Sequence, residues 1–191
     1  MTLSKVNEEI VKRADETFNV NEYLERAEAH FRSALSHLLV NNVDFTEQDY
    51  PAMIRREELR LGVNCAYPDG NIDNVALQHK LLRPIGAYFF SPNSVGYKSV
   101  RMIIHTSEFN HIINNPLSRI SEIVNIHFIG EKVIVYPFFE KCFLKYIRKF
   151  QRNDVVFGKD LEESFSLKLI HTAIDLAVVG LKNEVTAQEL Q

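Results

Sequence analysis

A hairpin too small to stand alone constrains this chain more than any other feature. Ile123, Val124, Ile126, Phe128 and Ile129 carry β-prone side chains, and Gly130-Glu131 sits where a tight turn belongs. Val133, Ile134, Val135 and Tyr136 supply the second run, which Pro137 stops. Two strands alone are marginal in water. The hairpin must therefore pack on helices or gain a further strand. Residues 85–90, residues 100–105 or a partner subunit are the available sources.

Directly after it, periodicity predicts a helix from Phe138 or Phe139 to Arg152. Phe139, Phe143, Tyr146, Ile147 and Phe150 share one face, and Lys141, Lys145, Arg148, Lys149 and Arg152 cluster around the other. Such a basic face suits a phosphate backbone, an acidic protein surface or another anion. The acids Asp154, Asp160, Glu162 and Glu163 follow closely and offer a way to neutralise it inside the fold.

Elsewhere the pattern reads as helix. Residues 4–17 form a helix capped by Ser4, with so thin an apolar stripe that residues 1–18 read as a peripheral element. A stronger helix follows a cap at Asn19 or Asn21, with Tyr23, Ala27, Phe31, Ala34, Leu35 and Leu38 at three- and four-residue steps. Further helices are expected over residues 47–61, capped by Thr46, and from Asp73 or Asn74 to Leu82. The turn signal Tyr67-Pro-Asp-Gly-Asn71 lies between these two. Residues 84–97 fit a helix or a short buried strand, and residues 100–113 favour a helix over a strand. From Phe165 to Leu181 nearly every residue is apolar, which predicts the central helix of the fold or one entering a dimer interface. The expected fold is mainly α with some β: a single helix-rich domain over residues 1–191, with six to seven helices and one small hairpin near residues 123–136.

The 191 residues suffice for one sizeable core. With 46% hydrophobic and 25% charged residues the composition is that of a soluble globule, and a net charge of −3 gives no general attraction to nucleic acid or anionic membrane. Cys65 and Cys142, the only two cysteines, make neither a disulfide framework nor a zinc knuckle. No apolar run is long enough for a membrane span, and the first residues lack a signal-peptide core. These readings predict a cytoplasmic protein.

Candidate chemistry is sparse. His105, Glu108 and His111 recur at steps of three, and their nitrogens and carboxylate are suitable metal ligands. His171 and Asp175 stand one helical turn apart in apolar surroundings, a spacing that can orient a general base or satisfy a polar spot in a core. The Asp69, Asn71, Asp73 spacing opens like a calcium loop but lacks the required glycine and the closing glutamate. There is no glycine-rich phosphate loop and no nucleophile elbow, so no cofactor is expected. The reading favoured is a structural or protein-interaction protein, self-associating and without catalytic activity. Two alternatives accompany it: a nucleic-acid-associated protein using the basic face at 141–152, and a small-ligand or metal-binding enzyme or sensor using His105, Glu108, His111 or His171.

Overall fold

The computed structural model describes residues 1–41, 44–59, 75–90, 97–115, 117, 123–129, 132–136, 142–151 and 154–189. The fold is mixed α/β, with two four-stranded sheets, rather than one bundle of six to seven helices with a hairpin. The chain divides into two compact units. One comprises Met1–Ile54 and Lys149–Gln191, and the other Arg55–Arg148.

The first unit is helical. Helices α1 (Leu3–Ala14), α2 (Val20–Asn41) and α5 (Leu167–Glu189) pack against one another pairwise. Each contributes one apolar stripe: Val6, Ile10 and Val11 from α1, Phe31, Leu35 and Leu38 from α2, and Leu169, Ile170, Ala173, Ile174, Ala177 and Leu181 from α5. The expected α2 and α5 are present, and α1 packs one face, with Val6, Ile10 and Val11 buried, against both of them. Ser4 does not cap α1, because its hydroxyl donates to Glu8 Oε1 at 3.3 Å from inside the first turn. Two 3₁₀ turns (Glu47–Asp49 and Pro51–Met53) and then the strand Ile54–Leu59 stand where a short helix at 47–61 was expected. The short helix α4 (Val155–Gly158) begins at Asp154, whose side chain accepts from the Val156 amide.

The described residues of the second unit form a pair of sheets with one helix. The first sheet has the order β1 (Ile54–Leu59), β8 (Cys142–Arg148), β3 (Leu81–Phe90), β4 (Tyr97–Ser99). The second has the order β2 (Val75–Ala76), β7 (Lys132–Tyr136), β6 (Asn125–Ile129), β5 (Arg101–Ile103). The expected hairpin is β6–β7, antiparallel with Ile126 opposite Val135, and β2 and a parallel β5 complete it on either side. Residues 101–103 thus supply one of the strands that the hairpin needed. Leu59, Ala87, Phe89, Leu144 and Tyr146 from one sheet and Ile126, Val133 and Val135 from the other share a core, so the sheets pack face to face. Ile134 and Tyr136, of opposite parity, instead meet Ile103 and Phe109 of α3 (Thr106–Asn114).

Where a helix was expected from Asp73 or Asn74 to Leu82, β2 and the start of β3 stand instead; of the two readings of residues 84–90 the strand is the one formed, and the helix favoured over residues 100–113 begins only at Thr106, as α3. Residues 81–90 form β3, and Pro84 is accommodated at an irregularity in the pairing with β8, where its missing N–H breaks no regular ladder. Residues 101–103 form β5 before α3 begins. The predicted basic helix becomes β8, a central strand whose backbone pairs with neighbours on both sides and whose aromatic and β-branched side chains suit a sheet surface. The turn at residues 67–71, the Asp69–Asp73 spacing, Cys65, Gly130-Glu131, Lys141 and Arg152 lie outside the described residues.

Candidate functional site

Strand geometry redistributes the basic residues. Lys145 pairs with Gly86 on one face of β8, while Arg148, an odd number of residues away, points to the other and is buried. Lys149 lies beyond the strand and is exposed. The shared helical face that would have joined Lys145, Arg148 and Lys149 is not formed.

The histidine positions do not converge either. His105 is the N-cap of α3 and His111 lies in its last turn, both exposed. Glu108 accepts a hydrogen bond from Arg101 on the neighbouring strand. Among the described residues no group of three or more His, Cys, Asp and Glu side chains is placed to hold a metal ion. His171 faces solvent on α5, and Asp175 accepts from Arg13 Nη2 of α1 at 2.6 Å, so its carboxylate ties two helices together.

The histidine that the fold does enclose is His127, only 1% exposed on β6. Its Nδ1 contacts the Ile103 carbonyl oxygen at 2.9 Å, and its Nε2 lies 3.3 Å from Thr106 Oγ1. The ring stacks on Phe109 with centroids 4.9 Å apart. One neutral tautomer satisfies both contacts, with Nδ1–H donating to the carbonyl and Nε2 accepting from the hydroxyl. His127 therefore locks the β5–α3 corner, and both ring nitrogens are occupied. Asn125, also buried, donates to the carbonyls of Ile123 and Tyr136. The polar–apolar alternation Asn125, Ile126, His127, Phe128 in the sequence was the available signal that β6 carries two polar side chains on one face.

A second, half-buried polar node joins β1 to β8. The Tyr146 hydroxyl donates to Glu57 Oε2 at 2.8 Å, and the same carboxylate accepts the Gln78 amide. Burial, followed by the neighbouring Glu57 carboxylate, pushes the Tyr146 phenol well above its usual range. Cys142 is a free, buried thiol that burial pushes up to about 12, so it carries no thiolate for nucleophilic chemistry near neutral pH. His127, Asn125 and Tyr146 are each held in a structural contact.

Surface features are more distinctive. On β3, Tyr88 and Phe90 point outward and are 40% and 42% exposed, alternating with buried Ala87 and Phe89. On α5, Leu176 and Val179 are 43% and 55% exposed, on a helix whose opposite face fills the core. Ion pairs flank them within the chain: Arg13 with Asp175 on the α1 side, and on the α2 side Glu184 with His30 Nε2 at 2.6 Å and Arg26 at 3.6 Å. No described helix is long and apolar enough to cross a membrane. No protein-family model and no curated protein matches this chain.

Proposed function

We propose that the protein is a structural, self-associating interaction module without catalytic activity of its own. The observation that carries this reading is the outer face of α5. A helix that supplies eight buried side chains to its unit's core also presents Leu176 and Val179 to solvent. Apolar side chains neighbouring one another on a helix surface lose hydration cost when another surface covers them. The exposed Tyr88 and Phe90 on β3 offer a second apolar surface of the same kind. Hairpin completion no longer argues for a partner subunit, because β2 and β5 complete the sheet from within the chain. A reducing, cytoplasmic setting fits the free Cys142 thiol.

Sedimentation equilibrium of the full chain over a wide concentration range tests the proposal. The expected result is a mass that rises to at least twice the 22.1 kDa of one chain. A strict monomer at every concentration would overturn it.

A further inference from the structure

We infer that two copies of this chain pair through α5, antiparallel and about a twofold axis near residues 177–178. The inference rests on the self-association proposed above and assigns it a surface and a register.

The spacing of the exposed residues is the starting point. Thr172, Leu176, Val179, Asn183 and Thr186 follow one another at steps of four, three, four and three residues. That is the spacing of a coiled-coil seam, and it lies opposite the stripe that α5 buries in its own unit. The seam holds no charged residue. Thr172 and Thr186 donate their hydroxyls to the carbonyls of Lys168 and Lys182, leaving hydroxyl lone pairs to accept from outside.

The residues beside the seam decide between the two possible directions. On one edge stand Asp175 and Lys182, both exposed, and on the other Gly180 and Ala187. Parallel pairing would set each edge against the opposite edge of the second copy, so Asp175 would face Gly180 and Lys182 would face Ala187. No charge on α5's own edge positions would be matched. Antiparallel pairing sets like edges together, and Asp175 of each copy then faces Lys182 of the other, twice by symmetry. In the same register Leu176 meets Val179 of the second copy, and the Thr172 hydroxyl can accept from the Asn183 amide of the second copy. Asp175 keeps its bond to Arg13 through one oxygen and has a second available. A twofold interface must be self-complementary, and this seam meets that condition only when it is reversed.

The seam is short, so pairing is concentration-dependent. Val179→Lys places a charge at its centre without touching the core, and Lys182→Glu turns each cross-pair into a like-charge contact. Sedimentation equilibrium of the full-length chain and both variants is the test, with circular dichroism and melting confirming that each variant is folded. The expected result is association of the unmodified chain and an increase of at least about tenfold in dissociation constant for both variants. Undiminished association of Val179→Lys would overturn the inference while leaving self-association standing. Loss of association in Val179→Lys with none in Lys182→Glu would overturn the antiparallel register. A chain that is monomeric throughout would overturn this inference and the proposed self-association together.

Discussion

Gly180 shows how narrowly some positions are set. It lies in the interior of α5, where glycine costs about 1 kcal/mol relative to alanine. A Cβ there would stand 2.7 Å from His30 Nδ1, so the missing side chain is what lets the imidazole lie against α5 and reach Glu184. Gly180→Ala is therefore expected to destabilise the protein in spite of its better helix propensity, by about 1 kcal/mol net once overpacking is included. In a His30→Ala background the same change should stabilise it, and urea unfolding of the four proteins in that cycle measures the reversal of sign. Tyr146 presents the opposite situation, a polar group retained in a core. Tyr146→Phe deletes the donor to Glu57 and is expected to cost about 1–3 kcal/mol, read from the same unfolding curves.

At the scale of elements, the first turn of α5 is held from a distance in sequence. The Asp49 carboxylate accepts from the Thr46 amide at 2.8 Å, the Ser166 amide donates to the Asp49 carbonyl at 2.8 Å, and Ser166 Oγ accepts from the Leu169 amide at 3.3 Å. The Ser166 hydroxyl, and then the Thr46 amide, hold the Asp49 carboxyl below its usual range. A carboxyl with a lowered folded-state pKa contributes stability that is present above its unfolded value of about 4 and is lost as pH falls through the folded one. Asp49→Asn is thus expected to be less stable than the parent at pH 6, with the gap closing below about pH 4, as thermal melts along a pH series will show. Legibility in the sequence also divides by element. Helix α2 was readable because its apolar residues repeat at helical steps, and α5 because its apolar run is too long for a single strand. The β6–β7 hairpin was readable because its β-branched runs flank a turn. Strand β8 was not, since Phe143, Tyr146, Ile147 and Phe150 fit a helical face as well as Cys142, Leu144 and Tyr146 fit a strand face. The deciding factor was β1 and β3 on either side, which no local pattern announces. His127 escaped notice for the same reason, because Ile103 and Thr106 reach it only once β5 is paired. His105, Glu108 and His111 were legible as a spacing, but their surroundings on α3 lay beyond what spacing reveals.

Across the whole molecule, residues 55–148 are contiguous, whereas the helical unit is assembled from both flanking segments. The chain enters the second unit along β1 and leaves along β8, which are neighbours in one sheet. A chain ended after Gln151 lacks α5 and with it the surface that α1 and α2 both cover. Hydrogen exchange on that truncated chain is expected to show β6 and β7 amides protected and α1 and α2 amides exchanging freely; retained protection in α2 would contradict the central role given to α5. The order of synthesis adds a consequence. A ribosome releases α1 and α2 well before α5, which follows more than 120 residues later in the sequence, so the apolar surface they bury against α5 stays uncovered until then. The sandwiched sheets can be finished by then, so the unit whose first two helices precede them is completed after them. During that interval a chaperone or a neighbouring nascent chain would meet those two helices before their own partner does.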